Sequence, residues 1–148
     1  MACIYADIVS ERLRRKSDLR NTVKMSQDII ADTLNQIMNA LKARKSTVKV
    51  KRHSQFLLEV LAIGKIKGYI KNYSVDKGEL VIDIGHMTKC QAVKPRYMIQ
   101  AKDIQKYVQR YLPARGMGVL VISTSKGLMT HQTAEEKKVG GSVIAYFY

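Results

Sequence analysis

Ser123-Thr124-Ser125-Lys126-Gly127 gathers three hydroxyls, one cation and one glycine in five consecutive residues. Hydroxyls donate to phosphate oxygens and to ribose 2′-hydroxyls, Lys126 can neutralise a phosphate, and Gly127 lets the backbone come close to a ligand. That set of groups suits RNA. The same letters also spell Ser123-x-x-Lys126, the spacing at which a lysine helps activate a serine nucleophile in penicillin-recognising enzymes. The Ser-Asp-Asn and Lys-Thr-Gly elements that complete such a site are absent from this chain, and those enzymes are much longer. A plainer role competes with both, because Ser and Thr after a strand often only cap a helix or satisfy a turn. The element that must position the cluster is the run before it, Val119-Leu120-Val121-Ile122. It is short, β-branched and bounded by Gly118 and Gly127, which predicts a buried strand with the cluster as a rigidly mounted loop at its end.

Composition favours the RNA reading. Lys plus Arg number 26 against 12 Asp plus Glu, a net charge of +14 on 148 residues, and such an excess calls for a polyanionic partner, nucleic acid or an acidic membrane surface. No apolar run approaches the roughly 18 residues needed to span a bilayer, and no cationic helix carries bulky aromatics. With 46% hydrophobic residues the chain can bury a real core, as one domain or as two small lobes sharing an interface. Cys3 and Cys90 are too few for a disulfide framework and, with no signal peptide in view, point to a reducing compartment. His53, His86 and His131 are scattered, and His86-x3-Cys90 is a lone pair where a metal site needs about four ligands.

Along the chain, residues 1–24 stand apart as a basic extension: Arg12, Arg14, Arg15, Lys16, Arg20 and Lys24 outnumber Asp7, Glu11 and Asp18. Ile4, Ile8 and Leu13 give it a partial helical stripe that can pack on a partner or lie along RNA. A mitochondrial presequence fits less well, since such peptides are poor in acids; Met25 also offers an alternative start. From Asp28, the residues Ile29, Ile30, Leu34, Ile37, Met38 and Leu41 recur at helical spacing, predicting an amphipathic helix to about Ala43. It leads into Lys42, Arg44, Lys45, Lys49, Lys51 and Arg52, six cations with no acid among them. Val48 and Val50 alternate with Lys49 and Lys51, so one face of a strand is basic, either to bind phosphate or to guard an exposed sheet edge. Ser54 caps a second helix closed by Gly68, and Tyr69–Val75 and Leu80–Ile84 flank Asp76-Lys77-Gly78 as a three-residue hairpin loop.

The second half runs through a loop from His86 to Pro95, a helix entered at Asp103 and stopped by Pro113, and the Gly118–Ile122 strand. Thr130 then caps a short helix to about Lys138, Gly140-Gly141 breaks it, and Val143–Tyr148 ends the chain as a buried strand. The expected fold is α+β: an N-terminal α-β-α-β-β lobe over 25–85 and a mainly β lobe with short helices over 86–148.

Several pieces in order, Lys89-Cys90, Lys94-Pro95-Arg96-Tyr97, Tyr111-Leu112-Pro113-Ala114-Arg115, Ser123 to His131, Gly140-Gly141 and the aromatic end Tyr146-Phe147-Tyr148, resemble ribosomal protein eight of the small subunit. The resemblance covers about Ser26 to Tyr148 and is nearest the archaeal and eukaryotic branch. It implies a two-lobed structural protein without catalytic activity, cofactor, metal, membrane attachment or small-molecule substrate. Its partners would be the central domain of small-subunit ribosomal RNA and neighbouring ribosomal proteins, in the cytoplasm. The RNA-reading role carries over to Ser123, Thr124, Ser125, Lys126 and Gly127, with Arg96 and Tyr97 on a neighbouring loop. In the first lobe Asn39 matches the family's asparagine, followed by the basic stretch from Lys42 to Arg52. The chain departs from the family pattern where Ile29 follows Asp28 in place of proline, where Arg52-His53-Ser54-Gln55 stands for Pro-x-Ser-Lys, at Gln91 for glycine, and at Gln132-Thr133 for two acids.

Two other functions are compatible with parts of the sequence. Asp76, Glu79 and Asp83 are the acids closest together, as a metal-dependent nuclease would need, but they fall on a hairpin with no fourth ligand or nearby histidine. An RNA-binding regulator outside the ribosome would carry the same charges.

Overall fold

A computed structural model describes residues 28–148 apart from Lys77 and Arg115; the basic extension 1–24 and Met25 lie outside the described residues. Helix α1 (Ile29–Lys42) starts where the Asp28 carboxylate accepts the N–H groups of Ile30 and Ala31 at 3.1 and 3.3 Å, satisfying two of the donors that a helix start leaves open. Ile30, Leu34 and Ile37 form its buried stripe. Thr33 is buried among them because its hydroxyl donates to the Ile29 carbonyl at 2.8 Å. Helix α2 (Gln55–Ile66) is capped as expected, Ser54 accepting the Leu57 N–H.

Between and after these helices lie β1 (Thr47–Val50), β2 (Ile70–Asp76) and β3 (Glu79–Ile84), an antiparallel sheet in the order β1-β3-β2. Val48, Val50, Leu80, Ile82 and Ile84 point to the helices while Lys49 stays exposed, the alternation read from the sequence. The hairpin differs in one respect: Asp76 pairs with Glu79, so its loop holds two residues instead of three.

The C-terminal sheet contains β4 (Cys90–Ala92), β5 (Met98–Ile99), β6 (Val119–Thr124), β7 (Gly127–Thr130) and β8 (Gly141–Phe147), in the order β4-β8-β6-β7 with β5 also on β8. A 3-10 turn, Ala101–Asp103, feeds α3 (Ile104–Tyr111), and α4 (His131–Glu136) follows β7, capped by Thr130. Two expectations are corrected: the stretch from His86 to Pro95, expected as a loop, contains the strand β4, and the hydroxyl cluster is not all loop. Ser123 and Thr124 belong to β6 itself, and the chain turns straight back into β7, a strand that the sequence alone does not reveal. The extra pairing comes from tertiary context, since Gly127 to Thr130 is too short and mixed to signal a strand.

Both faces of this sheet are covered. Val119, Val121, Ala145 and Phe147 join the core formed by α1, α2 and the first sheet, while Leu120, Ile122, Met129, Val143 and Tyr146 pack with α3 residues Ile104 and Val108. This explains why Val119–Ile122 is apolar without alternation. The two lobes therefore share one core. Their seam is further tied by the Cys90 N–H on Met38 Sδ (3.1 Å), the Cys90 thiol on the Leu34 carbonyl (3.6 Å), and Tyr69 stacked on Phe147. Burial pushes the Cys90 thiol up to about 12, so it is an inert packing group.

Candidate nucleic-acid interface

Thr124 and Gly127 pair across the β6–β7 hairpin, leaving Ser125 and Lys126 as its exposed tip. Neither tip residue has a positive φ; Gly127 supplies it at +101°, the arrangement of a turn closed by a glycine bulge. Thr124 locks this turn: its hydroxyl accepts the Lys126 N–H at 3.1 Å and donates to the Gly127 carbonyl at 3.0 Å. Thr124 is thus occupied in building the loop. The hydroxyls of Ser123, Ser125 and Ser142 have no hydrogen-bond partner among the described residues.

Ser123 pairs with Ser142, and Ser142 with Met98, so the three lie in one row across β6, β8 and β5. Together with Gln100, Ser125 and Gly140-Gly141 they line an open cleft of about 680 Å³. At its floor the double glycine lets the backbone pass close to β6 and to the end of β5. A Cβ on Gly141 would collide with the Ser123 backbone carbonyl, and one on Gly140 would sit 2.5 Å from the Ile99 carbonyl oxygen. Met98 projects its apolar side chain at this cleft edge, 81% exposed, beside polar groups that can bond ribose or a base edge.

Arg96 and Tyr97 enter β5 beside this row but do not face the same way. Tyr97 is half-buried against Tyr107 on the α3 side (centroids 5.7 Å apart), with the Arg110 guanidinium over its ring. Arg96 and Lys94 reach back to Asp28 at 3.7 and 3.1 Å. Burial raises the Asp28 carboxyl's pKa, but the Lys94 hydrogen bond, the Ala31 N–H and the charges of Lys94 and Arg96 outweigh it and hold it below 3.8. Behind the hairpin, His131 is buried with Nδ1 accepting the Leu120 N–H at 3.2 Å. Its pKa is lowered below 6.5, mainly by burial and secondarily by Lys67, with Glu135 opposing.

The basic residues of the first lobe form a separate patch. Asn39 and Lys42 are exposed on the last turn of α1, followed by exposed Arg44, Lys45, Lys49, Lys51 and Arg52 along and beyond the edge strand β1. α1 closes with the Arg44 N–H on Leu41 and the Lys45 N–H on Ala40, a pairing that needs a left-handed residue between. Arg44 holds that conformation at φ 55°, whereas α2 uses Gly68 and α4 uses Lys138. A non-glycine residue there costs roughly 1–2 kcal/mol, at Arg44 and at Lys138 alike.

Comparison with known proteins decides the family. The family model for Ribosomal protein S8 matches residues 28–148. The chain belongs to the ribosomal protein S8 family. Two relatives in Schizosaccharomyces pombe, "Small ribosomal subunit protein uS8A" and "Small ribosomal subunit protein uS8B", are each 35% identical over 127 residues, covering 82% of this chain and 98% of theirs. The match begins at the α1 cap, Asp28, and the eukaryotic relatives agree with the branch suggested by the Lys-Cys, Pro-Arg-Tyr and aromatic C-terminal pieces.

In this S8-family chain, the cleft adds Met98, Gln100 and Ser142 to the residues expected from sequence. Only Gly140-Gly141 hinted at them, as a place where backbones approach closely. The acids Asp76, Glu79 and Asp83 do not converge: Glu79 and Asp83 are four residues apart on β3, about 13 Å along a strand. Among the described residues no three of His, Cys, Asp or Glu are grouped to hold a metal ion.

Proposed function

We propose that this chain is a structural constituent of the small ribosomal subunit that binds the central domain of small-subunit ribosomal RNA, in the cytoplasm and without catalysis. Membership of the S8 family supports the ribosomal role. The single observation carrying the RNA-reading assignment is that Ser123 and Ser142 lie side by side on a sheet buried on both faces, with Ser125 at the hairpin tip lining the same cleft, their hydroxyls without a hydrogen-bond partner among the described residues. Hydroxyls fixed in this way meet 2′-hydroxyls and base edges in a wide RNA minor groove, with Lys126 and Gly127 against the backbone. The patch from Asn39 through Arg52 neutralises phosphates and supplies affinity that falls steeply with salt. Arg96 belongs to the same RNA-binding set, and Tyr97 acts through its packed position beside the cleft. Neighbouring ribosomal proteins complete its partners, and the lobes 25–85 and 86–148 divide this labour.

The test is binding of the purified chain to a central-domain small-subunit RNA fragment and to an unrelated structured RNA, at physiological salt. Preference for the ribosomal fragment by at least ~10³-fold is expected of a specific binder. Equal binding to both would contradict the assignment.

A further inference from the structure

The α3 side of the C-terminal sheet carries cations that neither the hairpin nor β1 uses. α3 buries Ile104 and Val108 against Leu120, Ile122 and Met129, whose β6 members alternate with Val121 and Ser123 and so face away from the hydroxyl row. Lys106 and Arg110 stand one helical turn apart on α3, and Lys102 one turn earlier in the 3-10 turn. All three are exposed, and none is in an ion pair among the described residues. The Arg110 guanidinium lies 5.8 Å from the Tyr97 ring centre and 5.9 Å from that of Tyr111, which reduces the freedom it would lose on binding. The acids on this side are Asp103 and Glu135, the latter's carboxylate accepting from the Gln105 amide at 2.7 and 2.8 Å, so cations outnumber acids three to two.

We propose that this face is a second RNA-contact surface, where Lys102, Lys106 and Arg110 hold the phosphate backbone of an RNA segment other than the one read by the hairpin. The inference rests on the RNA-binding function proposed above. It makes the chain a bridge, with two RNA segments held on opposite sides of one rigid sheet. Phosphate fits better than an acidic protein partner, because the exposed large apolar residues Ile66, Val75, Met98 and Met117 all lie off α3. The half-buried rings of Tyr97 and Tyr111 are already covered by Arg110, and a planar guanidinium beside two lysines matches phosphate oxygens.

The test immobilises the central-domain fragment, saturates it with the full chain, and measures capture of a labelled, unrelated RNA duplex. Capture by the wild type is expected. Lys102→Gln with Lys106→Gln should weaken capture ~10-fold and lower its salt slope by about two, leaving binding to the immobilised fragment within about twofold. Arg110→Gln alone should weaken capture ~3-fold, a loss that Arg110→Lys only partly restores. Undiminished capture by the double variant overturns the proposal, as does absence of capture by wild type that binds the fragment normally. Tighter binding of polyglutamate than of duplex at equal charge, lost in the double variant, would replace RNA with an acidic protein. Failure of the wild type to prefer the fragment at all would overturn the ribosomal RNA assignment and this one with it.

Discussion

The two candidate binding regions are built on opposite principles. The patch from Asn39 to Arg52 lies on a helix end and an edge strand, its cations on long side chains in solvent. The cleft at Ser123, Ser142 and Met98 sits on the end of a sheet buried on both faces, its groups on short side chains with few rotamers. Long solvated cations attract phosphate wherever it lies, and short fixed hydroxyls reward one geometry only. Affinity and selectivity are therefore separable in this molecule, and substitutions should split them.

The largest effect is expected at Gly141. Gly141→Val would drive a branched Cβ into the Ser123 carbonyl and Ile122, with backbone on one side that cannot yield; we expect a stability loss of about 3 kcal/mol, read from the urea midpoint. A midpoint close to that of the wild type would show that the β6–β8 approach is looser than described. Next, Ser123→Ala with Ser125→Ala should cost about tenfold in cognate affinity, at ~0.5–1.5 kcal/mol per hydrogen bond, with an unchanged melting temperature.

Acid should act on the same lobe. Neutral His131 accepts the Leu120 N–H, and its pKa in the fold is lower than in the unfolded chain, so the unfolded state binds the extra proton first. Stability is then full above pH 6.5 and declines as pH falls below it toward the lowered value. Denaturant titrations from pH 7.5 to 5 should show this decline, and His131→Gln should flatten it. A flat wild-type profile would place the His131 proton elsewhere.

The basic patch should respond more gently. Lys49→Ala with Lys51→Ala should weaken cognate and unrelated RNA alike and reduce the salt slope by about 1.4–1.8, measured by binding across 50–200 mM salt. Arg44→Gly sharpens the contrast most finely: relief of the left-handed φ should stabilise the chain by about 1 kcal/mol while weakening RNA binding. Gain in both would mean that Arg44 has no role in binding.

Much of this arrangement was legible in the sequence because it is locally encoded. The stripe Ile30, Leu34 and Ile37, the caps Asp28, Ser54 and Thr130, and the alternation of Val48 and Val50 with Lys49 each need only near neighbours. The cleft needed more. Met98 and Ser142 reach Ser123 through the pairing of three strands from distant parts of the chain, and no periodicity announces that register. Thr124 looked equivalent to its serine neighbours until its hydroxyl was found inside the turn. Arg44 and Lys138 were unreadable for the opposite reason, since local preference would have put glycine where they stand.

The most direct test of the separation between affinity and selectivity is the ratio of dissociation constants for unrelated RNA and the central-domain fragment, measured for wild type and for Ser123→Ala with Ser125→Ala at one physiological salt concentration. The ratio should fall by about tenfold with the constant for unrelated RNA unchanged. An equal loss on both RNAs would show that these serines serve general affinity, and that the hydroxyl row is not where this protein reads its site.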